Sequence, residues 1–254
     1  MWAKIRAFPA AVLALVVVIM AAGAGILGVV ARPVLEPIRQ GNPAKPQVAL
    51  AINVAWGNEY LPALLATLKK HEAVGTFFLV GRWVEQYPEL ARQIAGGGHE
   101  IASHGYDTIE FKGLTREQLR HQVIDAGEVI LKATGQRPVL FSPHKGEWTP
   151  ELLTLLQQEE YLPIHWTVDT VDWKNPPPAE MTARVLSRVG PGSIILLHPT
   201  KSAVAGLDAL LSGLKDKGLH VVDVSTLLDS NPLKGKRASA WDEGSMTQPV
   251  WVSR

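Results

Sequence analysis

Short apolar segments alternate with amphipathic ones along most of the chain. Residues 47–54 alternate apolar residues with small or polar ones, which predicts a strand. Leucines then recur at helical spacing from Leu61 to Leu68, and residues 74–80 form a continuous apolar run typical of a strand buried on both faces. The middle of the chain therefore begins with a strand–helix–strand unit.

The same alternation continues to about residue 224. Thr115 and Gln118 have the spacing of a capping box and predict a helix start. We expect further helices over residues 87–95, 150–159, 179–189 and 203–217, and further strands over residues 99–103, 139–141, 162–168, 193–197 and 219–224. Short linkers between such units predict a mostly parallel sheet, and about seven units suit a barrel with its functional residues at the carboxyl ends of the strands.

The N-terminus carries an uncharged apolar run over residues 10–31, preceded by Lys4 and Arg6. About 20 apolar residues match the hydrocarbon thickness of a bilayer. We predict that residues 1–31 form an uncleaved signal anchor, and the positive charge before it predicts that the rest of the chain lies outside the cytoplasm. The alternative is a cleaved signal processed near residues 29–31, which would release a secreted domain.

The remaining chain is expected to hold one domain. Residues 32–46 contain four Pro and are predicted to form a tether. Residues 47–230 are predicted to form the domain, and residues 231–254 a disordered tail. A net charge of +1 gives no electrostatic argument for nucleic acid as a partner, and the absence of Cys excludes disulfides and thiolate metal sites.

Four segments together resemble the polysaccharide deacetylase (NodB-homology) family: 76–81 (TFFLVG), 98–104 (GHEIASH), 166–173 (WTVDTVDW) and 194–199 (IILLHP). Residues 52–60 (INVAWGNEY) are most similar to its sporulation-associated, YlxY-like branch. The resemblance implies an α/β fold, a distorted (β/α)7-type barrel, and an aminosugar glycan of the cell wall or spore wall as partner.

In this family one Asp and two His, the histidines four residues apart, hold a divalent metal. A neighbouring Asp is the general base and a late His is the general acid. These groups are needed because an acetamide is a poor electrophile. The metal lowers the pKa of its bound water to about 7, and the acid protonates the departing amine.

The resemblance places unsuitable residues at half of these positions. Asn53 stands at the position of the base, where a carboxamide has no useful basicity. Val54 stands at the position of the metal-binding Asp, and Thr108 at that of the second His. His104 matches the first metal His, and Ser142 replaces an Arg that orients the base. A single imidazole does not hold zinc, so His104 also fits the interpretation of a hydrogen-bonded pocket residue.

The acid side of the family's site is matched by His198 and Asp169. Asp169 and burial are expected to shift the pKa of His198. Four tryptophans, Trp56, Trp148, Trp166 and Trp173, stand near loop ends of one face and are predicted to stack on sugar rings, with core packing as the alternative.

These substitutions favour a glycan-directed family member with lost or weakened hydrolysis and no bound cofactor. One alternative is an active N-deacetylase with a rearranged site for zinc or another divalent ion, for which His104, Asp107 and His144 are the candidate ligands. The other is a protein–protein adaptor in envelope or spore assembly. The sequence leaves the oligomeric state open.

Overall fold

The strands of the computed structural model, which describes residues 36–229, form one parallel sheet. The first strand has the bounds predicted from the alternation of its residues. The strands are β1 (Gln47–Val54), β2 (Thr76–Leu79), β3 (Glu100–Ser103), β4 (Leu140–Phe141), β5 (Leu162–Pro163), β6 (Val168–Asp169), β7 (Ile194–Leu197) and β8 (His220–Val222).

The strand order is β5-β4-β3-β2-β1-β7-β6, with β8 paired to β1. Each pairing is parallel, as the alternation of strands and helices predicted. Within residues 36–229 no ladder joins β5 to β6, so the sheet is a curled half-barrel of eight strands. The carboxyl ends of the strands nevertheless meet at one edge, which is where the predicted site residues lie.

Helices connect most of the strands and cover the outer face of the sheet. They are α1 (Leu61–Lys70), α2 (Gly81–Gln86), α3 (Pro88–Gly96), α4 (Arg116–Arg120), α5 (Ala126–Thr134), α6 (Pro150–Gln158), α7 (Pro178–Leu186), α8 (Lys201–Asp216) and α9 (Val224–Leu227). The capping box at Thr115 and Gln118 is formed. A π-helical turn over His121–Asp125 separates α4 from α5, and α2 was not predicted from the sequence.

The alternation along β1 sorts its side chains between two hydrophobic clusters. Val48, Leu50, Ile52 and Val54 pack in the large cluster between the sheet and the helices. Ala49 and Ala51 instead pack inside the curl with Phe78 of β2 and Ile194 of β7, where small residues allow the strands to bend around one another. By the same alternation, Asn53 points inward at the carboxyl end of β1.

Part of the predicted tether lies against this domain. The backbone N–H of Ile38 donates to the carbonyl of Pro163 at 2.8 Å, and that of Gly41 donates to Gly192 at 2.8 Å. The predicted anchor over residues 1–31 and the tail over residues 231–254 lie outside the described residues. Among the residues described, no helix has the length and apolar character needed to cross a bilayer.

Candidate functional site

The carboxyl ends of β1, β3, β4 and β7 bring several buried polar residues to one edge of the sheet. Ile52 pairs with Leu197, so the next residues in register are Asn53 and His198. His104 directly follows β3, and its backbone N–H donates to the carbonyl of Leu79. Ser142 follows β4 and donates to the carbonyl of Ser103. Asn53, His104, Ser142 and His198 are 5%, 2%, 3% and 7% exposed.

His198 is held by Asp172. One carboxylate oxygen of Asp172 lies 2.8 Å from Nδ1 of His198, and the other accepts the backbone N–H of His198 at 2.6 Å. Asp172 is fully buried, so this pair is shielded from water. With Nδ1 donating to the carboxylate, Nε2 is the ring nitrogen left for a ligand.

Asp172, and not Asp169, is the carboxylate that bonds to His198. Asp169 instead accepts the backbone N–H of Val171 at 2.7 Å. That bond supports a tight turn, because Val171 has a φ of 57°, a left-handed conformation that is costly for a β-branched residue. The turn leads into a 3₁₀ helix over Asp172–Lys174, which directs Asp172 towards His198. Asp169 therefore supports the turn that precedes Asp172.

His104 is bound to a backbone carbonyl. Its Nδ1 lies 2.7 Å from the carbonyl oxygen of Ser142, which can only accept, so Nδ1 carries the hydrogen. Burial lowers the pKa of His104 to about 3, the hydrogen bond to Ser142 raises it in part, and the nearby rings of His144 and His198 lower it further. His104 is therefore neutral at physiological pH, with a lone pair on Nε2.

The residues at this edge do not fit a divalent metal. Val54 is fully buried among the apolar side chains of the outer cluster and offers no ligand atom. In the rearranged set, the rings of His104 and His144 are 6.0 Å apart, but Asp107 is engaged by Arg82 and Gln122. Nowhere in residues 36–229 do three His, Asp or Glu side chains come together as a metal-binding group. Protein zinc sites use three or four such ligands.

Asn53 has an unused acceptor. Its side-chain oxygen is buried and has no hydrogen-bond partner among the residues of the structure. An unpaired buried carbonyl costs about 1 to 3 kcal/mol relative to one that is hydrogen-bonded. The position that the family's base would occupy thus carries a buried oxygen that no residue between 36 and 229 bonds.

Trp56 covers His198. The indole stacks on the imidazole with ring centroids 5.3 Å apart and an interplanar angle of 18°, while 42% of Trp56 stays exposed. Gly57 makes this approach possible, since a Cβ added there would lie 2.0 Å from the carbonyl oxygen of Pro199, and its φ is +76°. At Trp56 and Gly57, the loop after β1 therefore contacts the loop after β7.

The other predicted tryptophans divide into two kinds. Trp173 is 52% exposed, with the ammonium of Lys174 placed 4.9 Å from its ring centroid. Trp148 and Trp166 are partly buried and both contact His165: Trp148 donates to its Nδ1 at 3.4 Å, and Trp166 stacks on it at 4.0 Å. Burial lowers the pKa of His165 to about 4. The open indole faces are those of Trp56 and Trp173.

Sequence reasoning missed Asp172 as the partner of His198 and did not identify His165. Both Asp169 and Asp172 stand in the 166–173 segment, so the segment was informative while the choice between them depended on the turn at Val171. His165 carried no signal, because nothing in the sequence places it between two tryptophans.

This arrangement can be compared with known proteins. The family model described as Polysaccharide deacetylase matches residues 40–164. The peptidoglycan-N-acetylglucosamine deacetylase of Bacillus cereus is 31% identical over 74% of this chain and 70% of its own length. The chain belongs to the polysaccharide deacetylase family.

Two further proteins are more similar to this chain in sequence. The Bacillus subtilis protein YlxY is 41% identical over 78% of this chain, which spans 62% of YlxY. The crystal structure of BA3943 from Bacillus anthracis, a CE4 family pseudoenzyme, is 40% identical with a TM-score of 0.75, covering 76% of this chain and 69% of that one. A mutant of BA3943 with restored enzymatic activity matches with a TM-score of 0.75, 39% identity, and coverage of 76% of this chain and 71% of that one.

Proposed function

We propose that this protein binds an aminosugar glycan of the cell wall and has lost, or strongly reduced, the hydrolytic activity of its family. The observation that carries the proposal is the contrast within one site. The acid side is complete, with His198 bonded to a buried Asp172. The base and metal side holds Asn53 and a buried Val54 instead of carboxylates.

The missing groups are the ones that activate water. A carboxamide cannot take a proton from water, and losing general-base help costs about 10² to 10⁴ in rate. A protein without the metal also lacks its polarisation of the acetamide carbonyl, which contributes several kcal/mol. His198 could protonate a leaving amine only after water has attacked the acetamide. The acid side therefore cannot compensate for the missing base and metal.

Glycan as the ligand is supported by the relatives and by the surface. Related proteins are peptidoglycan-N-acetylglucosamine deacetylases of Bacillus cereus and Listeria monocytogenes. Trp56 and Trp173 are 42% and 52% exposed, and indole faces stack well on sugar rings. The proposal includes an extracytoplasmic location, a single membrane anchor over residues 1–31, and a role in peptidoglycan or spore-wall work.

The test combines retention and turnover with the full-length chain. Insoluble peptidoglycan should retain the protein, and the double change Trp56→Ala with Trp173→Ala should weaken retention. Leu131→Ala is the matched control, because Leu131 is an exposed apolar residue on α5. Release of acetate from peptidoglycan or chitin oligosaccharides should be undetectable.

Two results would contradict the proposal. Turnover that is abolished both by a chelator and by His198→Ala would show an active metal enzyme. Failure of peptidoglycan to retain the folded protein would favour the protein–protein adaptor.

A further inference from the structure

A second cluster of polar and aromatic side chains lies on the segment that joins β5 to β6, together with part of the predicted tether. The backbone N–H of Ile38 donates to the carbonyl of Pro163, and the carbonyl of Ile38 accepts the N–H of His165, both at 2.8 Å. Ile38 pairs in parallel with Ile164, so Arg39 and His165 are the next residues in register. They are therefore neighbours across this contact.

His165 and Trp166 each present a hydrogen-bond donor. Nδ1 of His165 lies 3.4 Å from Nε1 of Trp148, which can only donate, so the hydrogen of the neutral imidazole lies on Nε2. Burial, with a smaller contribution from the charge of Arg39, lowers the pKa of His165 to about 4, so the ring is neutral at physiological pH. Trp166 stacks on this ring with centroids 4.0 Å apart and adds the N–H of its own Nε1.

These donors are open to a ligand. Nε2 of His165 and Nε1 of Trp166 form no hydrogen bond within residues 36–229, and neither is among the buried unpaired polar atoms of that range, so both reach solvent. Arg39 is exposed, and its guanidinium forms no ion pair with any residue of the same range. The carbonyl of Arg39 accepts a hydrogen bond from the hydroxyl of Thr167, which fixes the backbone of Arg39 beside His165.

A carboxylate is the group that this cluster fits. An ionised carboxylate has only acceptors, and a guanidinium with neighbouring N–H donors binds it through charge-assisted hydrogen bonds. Trp148 follows β4, as Ser142 does, so the cluster lies at the same edge of the sheet as the candidate site. N-acetylglucosamine carries no carboxylate. Muramic acid, the other sugar of peptidoglycan, has a lactyl carboxyl group, to which the peptide is attached.

We infer that Arg39, His165 and Trp166 bind a carboxylate of peptidoglycan, carried either by the lactyl group of muramic acid or by the peptide attached to it. This inference rests on the proposed glycan binding and names a chemical group of the ligand. It also gives a part of the predicted tether a role in binding, because Arg39 supplies the charge.

Calorimetric titration of the full-length chain tests the inference with two pairs of probes. The first pair is a peptide-free tetrasaccharide of alternating N-acetylglucosamine and N-acetylmuramic acid, and its lactyl methyl ester. The second pair is the same tetrasaccharide with its peptides, and the methyl ester of the peptide carboxyl groups. In at least one pair the acid should bind about 10-fold or more tightly than its ester, the difference expected for hydrogen bonds to a charged group. The pair that shows the difference identifies the source of the carboxylate.

Arg39→Gln should remove most of this preference. The side chain is exposed and the contact with Thr167 uses the backbone carbonyl, so the variant should fold like the wild type. Arg188→Gln is the matched control. Arg188 is also exposed, but it precedes β7 at the opposite edge of the sheet, and the preference should be unchanged. His165→Phe keeps an aromatic ring against Trp166 and removes the N–H, so it should lower the preference by a smaller factor than Arg39→Gln.

The outcomes separate the inference from the proposed function. Equal binding of acid and ester in both pairs overturns the inference and leaves glycan binding in place. Binding of none of the four probes overturns both. A preference that survives Arg39→Gln, or one that Arg188→Gln lowers to the same extent, also overturns the inference, because the carboxylate would then be bound elsewhere or attracted by net charge alone.

Discussion

The two buried histidines at the strand ends have opposite kinds of partner. His198 binds the carboxylate of Asp172, while His104 binds the neutral carbonyl of Ser142. Burial beside a neutral acceptor opposes a positive charge on an imidazole. The β7 side of the site thus contains a buried carboxylate, and the β1–β3 side contains a neutral histidine ring.

The two sides of the site also differ in how many segments of the chain build them. Asp172 reaches His198 from a turn that its own segment stabilises through Asp169. The β1–β3 side depends on separate segments, and its position 54 now contributes to the apolar packing between sheet and helices. Val54 offers no metal ligand, but its side chain packs well in the core. The absence of the ligand therefore carries no packing penalty.

The largest expected effect is repair of the β1–β3 side. The triple change Asn53→Asp, Val54→Asp and Thr108→His supplies a base and, with His104, three metal ligands. We expect about one zinc ion per chain by elemental analysis. At a metal concentration about 100-fold above the dissociation constant, the metal should also stabilise the fold by about 2.7 kcal/mol.

Acetate release should then rise by at least about 100-fold over the unmodified chain, because base and metal act together. Adding His198→Ala to the triple variant should remove the activity and keep the metal. If the triple variant folds yet binds no zinc, the loop of Trp56 and Gly57 holds position 54 away from His104, and the correspondence with the family fails there.

The next effect is the cost of breaking the β7 side. Asp172→Ala leaves Nδ1 and the backbone N–H of His198 buried without an acceptor. We expect a loss of about 3 to 5 kcal/mol in the free energy of unfolding, measured by urea denaturation at neutral pH. Asp208→Ala, which removes an exposed carboxylate paired with Lys70 and His71, is the control and should lie close to the wild type. Similar losses in both would mean that Asp172 is less shielded than its burial indicates.

The environment of His104 predicts a pH dependence. Because burial lowers its folded pKa to about 3 from 6.5, the unfolded chain binds more protons between these values. Stability from this group is therefore complete above about pH 6.5 and is lost as the pH falls towards 3, by at most about 1.4 kcal/mol per pH unit.

Urea midpoints at pH 6.5 and 4.5 measure the effect. His104→Asn keeps a donor for Ser142 and should flatten the loss by about 2 kcal/mol over this interval. His99, His144 and His165, whose pKa values are also lowered, contribute equally in both proteins. An unchanged slope in His104→Asn would show that the ring is protonated in the fold.

The sequence predicted the framework better than the contacts across it. The alternation in β1 and the capping box at Thr115 are local patterns, and both are present in the structure. Positions at the strand ends were also placed well, since parallel strands bring their carboxyl ends together. Asp172 rather than Asp169 bonds to His198 because the chain makes a left-handed turn at Val171. A valine gives no indication of such a turn in the sequence. The stacking of Trp56 on His198 likewise depends on the approach of two distant loops.

The smallest expected effect on stability concerns the contact between the loops after β1 and β7, where the two sides of the site meet. Gly57 and Gly135 both have positive φ values, +76° and +71°, so an alanine costs about 1 to 2 kcal/mol at either position from its backbone conformation alone. At Gly57 the new Cβ would also lie 2.0 Å from the carbonyl oxygen of Pro199, while at Gly135 it meets nothing within 4 Å. Gly57→Ala should therefore lose about 1 to 3 kcal/mol more than Gly135→Ala in urea denaturation. It should also change the tryptophan fluorescence of the folded protein, because Trp56 is displaced from His198. Equal losses with unchanged fluorescence would mean that the two loops are not in contact, and that the two sides of the site act independently.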